Sequence, residues 1–315
     1  MSAPMNQPYA CVLTCADRSN ILLRMAALPI TKAVDDPRCH RLRMVDGVEL
    51  QVEEWGPVDA SPILFCHGFG QTRGAWTSTA MRLADAGYRC VSIDLRGHGD
   101  SDWQESGDYS MDRFRGDLIA VTAWLGQPTI LVGASMGGLL GLIAEGENGG
   151  SPLFKALLLV DVTPRWEAAG VERIIKFMRS HPDGFASFDE AAASIAAYLH
   201  HRSRSKSPER LRQLLVRHGD GRLRWHWDPN LLDMVSGDVE RYQPRLFAAT
   251  RAISVPMLLV SGMASDVVSN ATINEFLKLA PHARHISVPK ATHMVAGDDN
   301  AAFTAQVAQF IASLR

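Results

Sequence analysis

Four things are missing from this 315-residue chain, and each absence removes a class of protein. There is no long hydrophobic run: the apolar stretch over residues 21–30 is interrupted by Arg24 and Pro29. It is well short of the roughly 20 residues a membrane span needs, and no basic segment precedes it, so it reads as neither anchor nor signal peptide. There is no charge of one sign to spare, because 32 Lys+Arg face 34 Asp+Glu for a net −2. No global field therefore recruits nucleic acid or an anionic membrane. Paired cysteine spacing is absent as well; Cys11, Cys15, Cys39, Cys66 and Cys90 are odd in number and lie in the first third. They read as free thiols in a reducing compartment, which makes the cytoplasm the expected location. Finally, no His/Cys/Glu pattern has metal-ligand spacing, and the Gly-rich residues 146–150 lack the Lys-Ser/Thr ending of a phosphate loop, so neither metal nor cofactor is expected. Hydrophobic residues at 46% and charged residues at 21% exclude a disordered, collagen-like or coiled-coil chain.

What is present is an alternation. Short β-rich runs at residues 40–45, 49–55, 63–66, 89–93, 129–132, 156–160, 257–260 and 285–288 are separated by helical stretches at 76–86, 111–125, 136–147, 270–279 and 301–314. The first two runs flank Asp46-Gly47, a hairpin turn dipeptide. The later ones imply right-handed βαβ crossovers, and hence an α/β fold with a mainly parallel sheet. Residues 163–252 break the rhythm, with helix formers, Arg and His but no strong strand run. The expected organisation is an N-terminal extension at 1–39, a core at 40–162 and 253–315, and a helical cap at 163–252 over the carboxyl ends of the strands.

The strongest local signal is Gly133-Ala134-Ser135-Met136-Gly137-Gly138, between an apolar strand run and a helix. A G-x-S-x-G sequence in that setting forces Ser135 onto a sharp, strained corner that only small neighbours permit. A hydroxyl is a poor nucleophile at neutral pH, so it needs a base, and the base needs an orienting acid. His293 follows the last strand run and supplies the base. Asp266, on the loop after residues 257–260, is the expected acid, with Asp161, just past residues 156–160, as its rival. Cys66-His67-Gly68-Phe69-Gly70 can aim backbone N–H groups at a developing negative charge, which assigns the oxyanion donors to the amides of Phe69 and Met136. His67 is expected to pin neighbouring backbone instead of catalysing.

Together with Asp94-Leu95-Arg96-Gly97-His98-Gly99-Asp100-Ser101, these elements resemble the α/β-hydrolase fold superfamily from about residue 40 to the C-terminus. The resemblance implies an eight-stranded, mostly parallel sheet with helices on both faces, a helical cap, a Ser-His-Asp triad and an acyl-enzyme mechanism without cofactor. In such proteins the loop at 96–99 is structural, which leaves His98 and Asp100 outside the catalytic set. The pairing of Phe69 and Met136 looks most like serine esterases grouped with cofactor-free haloperoxidases. Relatives that open epoxides or displace halide place Asp where this chain has Ser135, so attack on an acyl carbon is the expected chemistry.

The 163–252 segment offers Trp166, Phe177, Phe185, Phe188, Tyr198, Trp225 and Trp227 for a pocket or for its own core, and Trp166, Trp225 and Trp227 are the expected substrate contacts. The basic run at 200–206 reads as a solvated helix end or loop. Asn270-Ala271-Thr272 matches a glycosylation sequon without a secretion signal and is treated as coincidence. The expectation is a cytoplasmic serine hydrolase for a small to medium, largely apolar carboxylic ester. Its partner is a small acyl substrate, not nucleic acid or membrane, with room for a homo-oligomer. A perhydrolase or haloperoxidase, a C–C bond hydrolase and a ligand-binding sensor are the alternatives.

Overall fold

Asp46-Gly47 turns the chain as expected, with Gly47 at φ +91° and the Met44 amide donating to the Val48 carbonyl at 2.7 Å. The turn joins strand β1 (Arg38–Arg43) to β2 (Glu49–Trp55) in an antiparallel pair. The computed structural model describes residues 36–198, 211–233, 239–298 and 300–314, within one unit spanning Val34–Arg315. Of the expected N-terminal extension, residues 1–35 lie outside the described residues, while residues 38 and 39 already belong to the sheet.

Four strands then follow, β3 (Pro62–Cys66), β4 (Arg89–Ile93), β5 (Thr129–Ala134) and β6 (Phe154–Val160). A short separate hairpin, β7 (Leu215–Arg217) and β8 (Leu223–Trp225), precedes the last two, β9 (Met257–Gly262) and β10 (Arg284–Val288). The main sheet has eight strands in the order β1-β2-β4-β3-β5-β6-β9-β10, parallel from β4 to β10. Its central strands are apolar end to end, with Ile63, Leu64, Phe65 and Cys66 fully buried, because helices cover a parallel sheet on both faces.

Helices α1 (Thr77–Asp85), α2 (Met111–Leu125) and α3 (Met136–Gly146) form the first crossovers. From β3 the chain runs one way along the sheet to β4 and then returns past β3 to β5. The direction of winding therefore switches between β3 and β5, and their carboxyl ends, paired through Cys66 and Gly133, open the crevice in which such sheets bind ligands.

Between β6 and β9 lies the insert, with α4 (Ala168–Arg179), α5 (Phe188–Tyr198), the β7–β8 hairpin and α6 (Val239–Ala252). Two features depart from the sequence reading. The insert is not all helical: the three-residue strands of its hairpin are too short to stand out as apolar runs. And α6 packs on α3 of the core, so closely that a Cβ on Gly146 would come 2.2 Å from the Ala249 carbonyl oxygen. Helices α7 (Asn270–Leu279) and α8 (Asn300–Ala312) complete the fold. The hydroxyl of Thr272 in the sequon accepts from the Ser269 amide in the capping box that starts α7.

The Asp94–Ser101 loop is tied down by ions. The buried Arg96 grips Asp117 of α2 through two contacts of 2.6 Å and reaches Asp46 in the hairpin turn at 2.8 Å. Removing one partner of a buried pair strands the other charge. Asp117→Ala is expected to lower the unfolding free energy by about 3 kcal/mol, read as a lower urea midpoint at constant slope; an unmoved midpoint would contradict this role for the pair.

Candidate active site

Ser135 directly follows β5, at φ 46°, ψ −116°, outside the regions an L-residue prefers, at a cost on the order of 1–3 kcal/mol. It stays there because the chain holds it on both sides. Its amide donates to Val160 of β6 at 3.0 Å, and its carbonyl accepts the Gly138 and Leu139 amides that begin α3. Two glycines make the corner possible. A Cβ on Gly133 would lie 2.6 Å from the Gly137 carbonyl oxygen, and one on Gly137 would lie 2.4 Å from the Cys66 carbonyl oxygen. Cys66 is no rival nucleophile, since burial pushes its thiol well up and suppresses the thiolate.

His293 lies on the loop after β10, and its Nδ1–H donates to Oδ2 of Asp161 at 2.7 Å. Asp161 is fully buried at φ +49°. Its Oδ1 accepts the Gly262 amide at 2.8 Å and its Oδ2 also accepts the Ser265 hydroxyl at 2.6 Å. This corrects the expectation of Asp266 beside His293. Asp266 lies four residues beyond the end of β9, where its carboxylate accepts from Arg173 Nη2 on α4. Asp161 instead directly follows β6, the strand hydrogen-bonded to β5 and hence to the Ser135 corner.

Three buried, neutral histidines tie together the loop after β3, the Asp94–Ser101 loop and the insert. His67 Nδ1–H donates to the Gly68 carbonyl at 2.8 Å and its Nε2 accepts the Leu95 amide at 3.0 Å. His98 Nε2 accepts the Gly70 amide at 3.3 Å while its Nδ1–H donates to the Arg96 carbonyl. His226 of the insert accepts the Gly99 amide at 2.7 Å. Burial is the main cause that lowers the basicity of all three, taking His226 down to about 4. The Gly68 amide donates to Gln71 Oε1. Among the described residues, the Phe69 amide and that of Met136, the first residue of α3, have no acceptor.

A cavity of about 240 Å³ opens onto Ser135, His293 and Phe69, and the insert closes it with Phe177, Met178, Tyr198 and Trp225. Of the three tryptophans expected to meet substrate, only Trp225 belongs to the lining. Trp227 is buried behind it, its ring 5.0 Å from that of Phe69, and Trp166 packs against the core. Arg173 and Gln71, which also line the cavity, and His226 escaped the sequence reading; none sits in a motif, and only the fold brings them to the site. The basic run at 200–206 lies outside the described residues. Among the described residues no group of three or more His, Cys, Asp or Glu could hold a metal ion, and no helix is long and apolar enough to cross a membrane.

A sequence model described as the alpha/beta hydrolase family matches residues 63–307. The chain belongs to the alpha/beta hydrolase family. Among its relatives is a 3-hydroxybutyrate-oligomer hydrolase of Cupriavidus necator, 30% identical over 76% of this chain and 85% of that protein. An esterase of Mycobacterium tuberculosis is 30% identical over 78% of this chain and 80% of its own. The crystal structure of that esterase superposes with a TM-score of 0.69 at 26% identity, covering 95% of this chain and 99% of the other. A non-heme chloroperoxidase of Streptomyces lividans is 32% identical, over 48% of this chain and 52% of that one. With relatives named as hydrolases and esterases, this alpha/beta hydrolase is an enzyme of the hydrolase class.

The neutral histidines of the hydrolase carry a pH signature. A folded-state pKa depressed from 6.5 to about 4 means that the unfolded chain binds the proton of His226 first. Stability is complete above pH 6.5 and is lost as pH falls toward 4, at up to about 1.4 kcal/mol per pH unit for each such histidine. In His226→Gln the acid limb of unfolding free energy against pH is expected to be shallower by up to one proton; an unchanged slope would remove His226 from that limb.

Proposed function

We propose that the protein is a serine hydrolase that cleaves a small to medium carboxylic ester through an acyl-enzyme. Ser135 Oγ attacks the acyl carbon, His293 Nε2 takes the hydroxyl proton and returns it to the leaving alkoxide, and water then repeats the sequence on the acyl-enzyme. Asp161, in place of Asp266, holds the imidazole with Nδ1 protonated and stabilises the imidazolium. The amides of Phe69 and Met136 receive the oxyanion, and the dipole of α3, which begins at Met136, points the same way. The insert serves as a cap whose apolar side chains exclude water.

The observation that carries this reading is the 2.7 Å contact of His293 with a buried, fully hydrogen-bonded carboxylate at a cavity that also holds the strained Ser135. The similarity to a non-heme chloroperoxidase supports a side reaction on the same acyl-enzyme, in which hydrogen peroxide replaces water and leaves as a peracid. Acetate-dependent bromination of monochlorodimedone reports it.

Steady-state hydrolysis of p-nitrophenyl butyrate tests the assignment. Ser135→Ala is expected to abolish turnover and labelling by a fluorophosphonate probe. Asp161→Asn should lower kcat by roughly 10³-fold or more, because the wrong tautomer is then favoured. Asp266→Asn should fall far less. A larger loss in Asp266→Asn than in Asp161→Asn would return the orienting role to Asp266, and full turnover in Ser135→Ala would end the serine mechanism.

A further inference from the structure

Once Asp161 is given the imidazole, the pair it leaves behind at the cavity mouth needs an explanation. Arg173 and Asp266 both line the cavity, joined through Nη2 and Oδ2, with side chains about half and two-fifths exposed, 54% and 39%. Among the described residues, Arg173 is the one Lys or Arg in the lining. Its neighbours along α4 that share the lining, Ile174, Phe177 and Met178, are apolar. Among the described residues the guanidinium donates only to Asp266, which leaves Nε–H and Nη1–H of a five-donor fork for a second acceptor.

The position of the guanidinium is built. The Glu167 amide at the start of α4 donates to the Val267 carbonyl at 2.9 Å. Gly170 sits so close to the core loop that a Cβ there would lie 2.1 Å from the Asp266 carbonyl oxygen. The helix is thus seated on the backbone of the residue whose side chain holds the arginine. Planar carboxylates match the arginine fork, and charge-assisted hydrogen bonds of this kind are the strong ones.

We infer that Arg173 is a specificity residue that anchors a substrate carboxylate, so that the preferred substrate is an ester or related acyl compound bearing a free carboxylate at the end remote from the scissile bond. The inference rests on the hydrolase reading above and names its substrate class. Asp266 keeps the guanidinium in place and opposes the incoming anion, so it tempers the preference that Arg173 creates.

The test compares monoethyl succinate, glutarate and adipate with ethyl butyrate, valerate and caproate, by pH-stat, in the full-length enzyme. The readout is the ratio of kcat/KM for anionic over neutral ester of matched length. At least one pair is expected to favour the anion roughly tenfold or more in the wild type. The ratio should collapse in Arg173→Gln, recover in part in Arg173→Lys and rise in Asp266→Asn. A wild-type ratio at or below one, or a ratio that Arg173→Gln does not move, overturns the inference while leaving the hydrolase reading intact. If no ester is cleaved, the hydrolase reading has failed, and titration calorimetry with glutarate decides the anchor alone. Binding that weakens roughly tenfold or more in a folded Arg173→Gln variant supports it; equal affinity, or no binding to the wild type, overturns it.

Discussion

A carboxylate taken fully out of water is costly unless it is paired and hydrogen-bonded. At Asp161 that cost is met by three donors: the Gly262 amide, the Ser265 hydroxyl and Nδ1–H of His293. The first two come from the end of β9 and the loop after it, and the third from the loop after β10. Three segments spread over 132 residues of sequence are thereby fixed around one side chain. The consequence reaches the proton inventory. With Nδ1 committed as donor, a neutral His293 has its free lone pair on Nε2, the tautomer a base must have to accept a hydroxyl proton.

The remaining parts follow from where the winding of the sheet reverses. β3, β5 and β6 are neighbours in the sheet, so the Phe69 loop, Ser135 and Asp161 leave adjacent strands. Two of these exits are made by non-glycine residues at positive φ, Ser135 and Asp161, and both have amides that bond to the next strand. The strain is held by ladder hydrogen bonds and not by the loops themselves. Across the Phe69 loop and the Asp94–Ser101 loop, buried histidines supply acceptors to amides that no regular element would satisfy. A neutral imidazole suits this task because it donates at one nitrogen and accepts at the other.

Much of this was legible in the residues. The strands over 49–55 and 89–93 and the helices over 111–125 and 270–279 coincide with the apolar runs and periodic stretches that predict them, because each is bounded by turn residues or a cap. The Ser135 corner was legible because Gly133 and Gly137 are demanded by contacts local in sequence and in space. The choice of acid was not. Asp161 and Asp266 both follow a strand, and what separates them is burial and the reach of Ser265, Gly262 and Arg173, none of which has a period or a motif. The tryptophans failed for a related reason. Composition supplies aromatic residues to the insert, but only packing decides that Trp225 faces the cavity while Trp227 backs Phe69.

The two acids also differ in what solvent allows them to do. Asp266 is two-fifths exposed, and a charge in that setting is screened and interacts weakly with an imidazole. Asp161, fully buried, acts in a medium where each hydrogen bond and each unit of charge counts for more. With Asp161 turned inward just after β6, the outer loop after β9 is free to face the insert. There its carboxylate meets α4 through Arg173 and its backbone meets α4 through Val267 and Gly170. Under the proposed mechanism, the same inward placement gives the cavity a wall whose charge is set by a residue outside the catalytic relay, so that recognition can vary on this scaffold without disturbing the chemistry at Ser135.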